Sequence, residues 1–270
     1  TVVVSPGGKR VIISPDGPTV IIGERINPTG KKRLQEALLT GNMEVIKQEA
    51  IRQVEAGADI LDVNVGAVGV NEPEAMVQAI LAIQEVVDVP LCIDSGGGFG
   101  ATVQAAALKV AKGRPIVSSV TGEEDQLEAY LPLVAEHKTA LVGMTQDAEH
   151  GIPNDPRIRL EIAKKIVKRA EEFGIPRQDI IIDCITMPIS VDKEFGNITL
   201  QAMKMVREEL GVNLTLGASN ISFGLPDRRA LNIAFLPLAI EAGLTAAIVD
   251  PTHVEVRKAI LASDLMLGKD

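Results

Sequence analysis

The chain has 270 residues, enough for one large domain or two small ones, and its 27 basic residues against 36 acidic ones leave a net charge of −9. With no Trp, one Tyr and five Phe, it lacks both the basic footprint and the stacking rings of a nucleic-acid binder. No apolar run approaches the roughly 18–20 residues of a membrane span, and no secretory pattern opens the sequence. The two cysteines, Cys92 and Cys184, sit inside apolar stretches and make no disulfide framework, so two buried thiols in a cytoplasmic protein are expected.

Short apolar runs alternate with longer amphipathic segments. A small hairpin is expected first, residues 2–4 and 11–13 around Gly7-Gly8, followed by a strand at 20–23. Helix 43–55 leads to strand 60–65, helix 74–86 to strand 90–93, and helix 101–112 to strand 115–120. Helix 125–136 then leads to strand 140–144, helix 156–173 to strand 179–182, and helix 199–210 to strand 213–216. Helix 229–242, strand 246–249 and helix 254–267 complete the series. Continuously apolar rather than alternating strands imply a parallel sheet covered on both faces. Gly57, Gly174, Gly211 and Gly243 stand where helices should stop. Eight strand–helix units in this length fit a single (β/α)8 barrel over residues 1–270, with the hairpin plugging its bottom; an open doubly wound sheet is the alternative.

In such a barrel the chemistry belongs at the C-terminal ends of the strands. The runs end, in order, at Glu24-Arg25 with Asn27, at Asp62 and Asn64, at Asp94-Ser95, at Ser118-Ser119, at Thr145-Gln146, at Asp183, at Ser219-Asn220 and at Asp250. Any one of these residues could simply cap the next helix; eight together read as a polar, acidic pocket. Carboxylates with few Lys or Arg disfavour a phosphate ligand. They suit a neutral heterocycle with adjacent N–H donors, such as the 2-amino-4-oxo edge of a pterin, because a carboxylate only accepts. Magnesium or calcium is the rival occupant. A zinc site is disfavoured because His137, His150 and His253 are scattered; only His253 falls near the rim. Gly96-Gly97-Gly98-Phe99-Gly100 is neither a dinucleotide fingerprint nor a P-loop, and no GxSxG elbow occurs.

Gly23-Glu24-Arg25-Ile26-Asn27, Asp59-Ile60-Leu61-Asp62-Val63-Asn64-Val65-Gly66 and Leu91-Cys92-Ile93-Asp94-Ser95 resemble the pterin-binding superfamily. Leu216-Gly217-Ala218-Ser219-Asn220-Ile221-Ser222 with Arg228 resembles, within it, the methyltetrahydrofolate–corrinoid protein methyltransferases, related to the folate domain of cobalamin-dependent methionine synthase. The resemblance implies a methyl transfer between N5 of (methyl)tetrahydrofolate and the cobalt of a corrinoid. Asp94 and Asp183 would hold the pterin ring, and Asn220 would reach N5, with Asp183 polarising its network. Asp62 and Asn64 would line the floor, and Arg228 would fix the loop after strand seven or touch the folate; Glu24 and Asn27 complete the substrate-binding set. Ser118 stands where the acetogenic members place an Asn. Asp147-Ala148-Glu149-His150-Gly151 lacks the spacing of a B12-binding module, so the corrinoid (cobalamin) would arrive on a separate partner protein. A homodimer is implied as well. Two alternatives remain open: a dihydropteroate synthase-type condensing enzyme, whose Ser-Thr-Arg and Ser-Arg-Lys runs are missing here, and a non-catalytic folate-binding protein. With rings reduced to Phe99 and Phe223 near the mouth, the pocket is expected to hold a flat ligand mainly by its edge.

Overall fold

The computed structural model describes all residues except 8, 9, 97–99 and 270. Eight parallel strands, β3 (Val20–Ile26), β4 (Ile60–Val63), β5 (Leu91–Asp94), β6 (Ile116–Val120), β7 (Ala140–Met144), β8 (Ile180–Asp183), β9 (Asn213–Gly217) and β10 (Ala246–Val249), follow one another around a closed barrel. Closure is direct, Ala246 to Val249 of β10 pairing with Val20 to Gly23 of β3, and this removes the open-sheet alternative. The surrounding helices are α1 (Lys32–Thr40), α2 (Met43–Glu55), α3 (Glu72–Val86), α4 (Gly100–Leu108), α5 (Glu124–His137), α6 (Pro156–Glu172), α7 (Phe195–Leu210), α8 (Arg228–Glu241) and α9 (Val254–Met266).

Helix α1 is absent from the expectation drawn from the sequence. Leu34, Ala37 and Leu38 are its only buried residues, and a single apolar i, i+3, i+4 set between Gly30 and Gly41 reads as readily as a loop. Helix α4 ends at Leu108 rather than 112, the Ala107 carbonyl accepting from both Val110 N and Ala111 N. Gly211 ends α7 with φ +64 and its N–H on Arg207 O, the left-handed stop that a side chain would resist.

Strands β1 (Val2–Val4) and β2 (Val11–Ile13) pair antiparallel, Val2 opposite Ile13 and Val4 opposite Val11; the Gly7-Gly8 turn lies partly outside the described residues. Val2, Val4, Val11 and Ile13 form one cluster with Ile22, Ile60, Cys92, Ile116 and Ile181, which point into the barrel. The hairpin therefore seals the N-terminal end, held also by Arg114, which donates to Val3 O at 2.6 Å and pairs with Asp179 at 2.6 Å. Side chains alternate along a strand, so the residues two places on, Glu24, Asp62, Asp94, Ser118 and Asp183, point inward one layer higher. Apolar below and acidic above, the interior gets its gradient from period-two alternation alone.

The seam between β10 and β3 is latched from outside. Buried Asp264 of α9 accepts from Thr19 N at 2.8 Å and Thr19 Oγ1 at 2.7 Å. Asp264→Ala would leave both donors buried and unpaired, at a cost of about 2–4 kcal/mol. In a chain of this size that is expected to lower Tm by roughly 5–12 °C, measured by thermal denaturation.

Candidate functional site

The strand ends enclose a cavity of about 520 Å³. Asp62, Asp94, Ser118, Asp183, Asn220, Arg228, Glu24 and Asn27 all line it, together with Asp250 and Ser219. Asn64 does not; its side chain donates to Asp94 Oδ2 at 2.9 Å and accepts from Gly66 N at 2.9 Å, so it holds a lining residue in place. Barrel strand five departs from the expected pattern. Thr145 is fully buried, with its hydroxyl unpartnered, and the strand presents the Met144 thioether to the cavity, to which Ser119 Oγ donates at 2.8 Å. The Gly96–Gly100 loop and Phe99 fall largely outside the described residues. Cys92 and Cys184 are both buried, and burial pushes both thiols up.

The expectation of few basic groups is also corrected: Arg25, Lys31 and Arg228 line the cavity. Each is committed. Arg25 bridges Glu49 and Asp250, at 2.7 Å each, and Lys31 donates to Arg25 O at 2.9 Å. Arg228 donates to Ser219 O at 2.9 Å and Ser222 Oγ at 3.1 Å, and lies over the Phe223 ring at 5.6 Å, so it pins the turn that carries Asn220. Ser219 Oγ in turn donates to Glu24 Oε1 at 2.8 Å. The Asn220 side chain is exposed at the rim.

Asp62, Asp94 and Asp183 form the deep acid layer. Burial pushes Asp94 up, against the opposing hydrogen bond from Asn64. Asp62 goes well above the usual carboxylate range, first through burial and then through the charge of Asp94, despite a hydrogen bond with Cys92. Asn64 favours the ionised form of Asp94, and that charge keeps the proton on Asp62. Asp183 is raised to about 6: burial dominates, opposed by the N–H of Ile185 at 2.7 Å and by Arg159, while Asp94 raises it further. Among the described residues no three His, Cys, Asp or Glu side chains converge as a cation site requires.

Asp183 is positioned by a residue the sequence reading missed. Arg159 of α6 is fully buried. It donates from Nε to Pro153 O at 2.7 Å, and from Nη1 to Cys184 O at 2.6 Å and Ile185 O at 2.8 Å. These bonds hold Ile185 at φ +61, a conformation that costs a β-branched residue roughly 1–3 kcal/mol. The signal was present: Arg159 lies at helical spacing from Ile162, Ala163 and Ile166, on the buried face of α6, where a charge needs a reason. Arg159→Met removes the nearby charge and every bond the guanidinium donates. The pH midpoint of ligand binding is expected to move upward from about 6, and stability to fall by about 2–4 kcal/mol. Titration of affinity against pH checks this; a lower Tm with an unmoved midpoint would leave Arg159 as packing alone.

Lys31, Ile185, Thr186 and Ile248 also line the cavity unforeseen. Lys31 sits beyond the strand, where the rule of reading strand ends does not reach.

Residues 23–250 match the family described as pterin binding enzyme. The chain belongs to that family. It is 34% identical over 257 residues to a methylcorrinoid:tetrahydrofolate methyltransferase of Eubacterium limosum, covering 93% of this chain and 92% of that one. It is 33% identical over 248 residues to a methionine synthase of Mycobacterium leprae, covering 87% of this chain but 20% of that protein. Among solved structures, a Yersinia pestis dihydropteroate synthase bound to a pterine–sulfa conjugate superposes with a TM-score of 0.75 over the full length of both chains, at 15% identity. A Xanthomonas albilineans dihydropteroate synthase with 7,8-dihydropteroate follows at a TM-score of 0.69 and 21% identity, over 99% of both chains. Those two likenesses concern the fold.

Proposed function

We propose that the chain transfers a methyl group between N5 of (methyl)tetrahydrofolate and the cobalt of a corrinoid carried by a separate protein. The observation that carries this reading is the acid layer of Asp62, Asp94 and Asp183, three carboxyl groups from three strands lining one cavity. Ionised carboxylates accept the adjacent N–H groups of a pterin's amino edge, and a protonated Asp62 adds one donor for its oxo group. The relatives that share the sequence at 33–34% identity support the same chemistry.

In the forward sense the bond from N5 to the methyl carbon breaks as the cobalt supplies the electron pair of the new bond. The electron pair of the broken bond returns to N5, which takes a proton. An amine anion is a poor leaving group, so stabilisation of N5 in the transition state is where catalysis acts. Asn220, at the rim on a turn held by Arg228, is the group proposed to contact N5, through its amide. Asp183 lies deeper and polarises the hydrogen-bond network beneath, while Ile185, Ile248 and Met144 give the ring apolar walls. Ser118 reaches the same cavity from β6. The reading extends to a cytoplasmic protein and to a homodimer, the homodimer supported by exposed Leu238, Leu261, Leu265 and Met266 on α8 and α9.

The test is an absorbance assay with purified protein, methyltetrahydrofolate and cob(I)alamin, run in both directions. Protein-dependent demethylation or methylation is expected. Formation of pteroate from a pterin pyrophosphate, with no methyl transfer either way, would assign the condensing activity instead.

A further inference from the structure

Methyl transfer returns an electron pair to N5, and N5 must take a proton, yet an amide such as that of Asn220 has none to give at ordinary pH. Five carboxyl groups line the main cavity: Glu24, Asp62, Asp94, Asp183 and Asp250. Asp62, Asp94 and Asp183 lie in the deep layer that faces the amino edge of the ring. Asp250 is occupied on both oxygens, Oδ1 by Thr252 N at 2.9 Å and Thr252 Oγ1 at 2.6 Å, and Oδ2 by Arg25 at 2.7 Å. Burial would raise Asp250, but the Thr252 hydroxyl and N–H and the Arg25 guanidinium outweigh it and hold the group below the usual carboxylate range. It keeps no proton to deliver.

Glu24 differs on each count. Ser219 Oγ donates to its Oε1 at 2.8 Å, while Oε2 has no hydrogen-bond partner among the described residues. Ser219 directly precedes Asn220, whose amide nitrogen lies 3.0 Å from where a β-carbon on the cavity-lining Gly217 would stand. The Glu24 carboxyl is thus tied to the turn that carries the group proposed to contact N5. Burial pushes Glu24 up against the pull of the Ser219 hydroxyl; the Asp250 charge adds to the rise, Lys31 and Arg228 oppose it, and Asp62 faces it from β4. Those two cations would also stabilise the carboxylate that proton release leaves behind. Glu24 borders a second cavity of about 330 Å³ beside the first, with the partly exposed His253 on its wall, so its carboxyl can regain a proton between turnovers.

We infer that Glu24 is the catalytic acid and base of the methyl transfer, giving N5 its proton in one direction and taking it back in the other. The inference rests on the methyl-transfer reading of the main cavity. In the forward sense the bond from N5 to the methyl carbon breaks, its electron pair stays on N5, and the proton leaves Glu24 Oε2 for N5, so that a carboxylate remains. In the reverse sense the N5–H proton of tetrahydrofolate passes to that carboxylate. The N5 lone pair then bonds to the methyl carbon, and the pair of the cobalt–carbon bond stays with the metal. Asn220 stabilises N5 while Glu24 carries the charge that changes hands.

The experiment is single-turnover transfer at saturating folate, to cob(I)alamin and from methylcobalamin, measured from about pH 5.5 to about pH 8.5 for the wild type, Glu24→Gln and Ser219→Ala. As the pH rises, the wild-type rate of folate demethylation is expected to fall and the rate of folate methylation to rise. Glu24→Gln, whose amide oxygen still accepts from Ser219, is expected to be roughly 10²–10³-fold slower in both directions and to lose both pH limbs, with folate affinity within about threefold of the wild type. Ser219→Ala removes a bond that favours the ionised carboxyl, so both midpoints should move upward. Wild-type rates or wild-type pH limbs in the Gln variant, a loss confined to folate affinity, or midpoints that Ser219→Ala leaves in place would overturn the assignment. A wild-type chain that transfers methyl groups in neither direction would overturn the methyl-transfer reading itself.

Discussion

Asp183→Asn is expected to melt at a higher temperature than the wild type while binding folate at least a hundredfold more weakly. The carboxyl's value is raised to about 6, mostly by burial, against about 4 in an unfolded chain. The folded chain therefore keeps a proton near pH 5 that the unfolded chain has lost. As the pH rises from about 4 to about 6 this group's contribution to stability falls, and above 6 the buried carboxylate opposes folding by on the order of 2 kcal/mol. An amide of the same shape removes that penalty, but it donates where a pterin edge also donates, and the ligand meets a mismatch. Melting curves at pH 5 and pH 8 check the sign: the gain should be present in full at pH 8 and about halved at pH 5. A variant less stable than the wild type at pH 8 would mean that the N–H of Ile185 and Arg159 outweigh the burial. The wild-type affinity is expected to fall below about pH 6 for the same reason.

Asn220→Ala is expected to leave methyltetrahydrofolate binding within roughly tenfold while slowing methyl transfer to cob(I)alamin by about 10²–10³. The side chain is exposed at the rim and not part of the deep acid layer, so deleting it removes little ground-state contact. Its amide is asked to act only when charge changes at N5, which puts the loss in the rate and not in the affinity. Single-turnover kinetics at saturating folate separates the two. Transfer at the wild-type rate would take N5 stabilisation away from this residue, and a large loss of affinity with an unchanged turnover rate would make Asn220 a binding group.

Much of this was legible before any coordinates, and the reasons are local. Short apolar runs ending in a polar residue could be counted to eight, and a parallel barrel puts all those endings on one rim. Asp62, Asp94 and Asp183 needed only that rule. Where the rule failed, a side chain's direction was at issue. Thr145 follows Met144 by one residue, and in a strand one residue is the difference between the interior and the helix layer, so the thioether and not the hydroxyl reached the cavity. Asn64 is one place beyond β4, where the chain has begun to turn, and its amide bends toward Asp94 instead of the open space. Arg159, Lys31 and Ile185 lie on a helix and on loops, whose approach to the cavity depends on tertiary packing that no strand period encodes. Counting also overlooked that basic side chains at the rim could be present yet fully engaged, as Arg25 is between Glu49 and Asp250.

The sealed N-terminal end governs traffic. Four aliphatic side chains from two three-residue strands turn a tube into a cup, so ligand entry, water exchange and any protein that reaches the bound ligand share one opening. A corrinoid protein seated there would act as a lid as well as a reactant. While it stays, the folate beneath it can neither leave nor be replaced, and bulk water is held away from the carboxyl groups. Turnover would then be paced by how long the two proteins remain together.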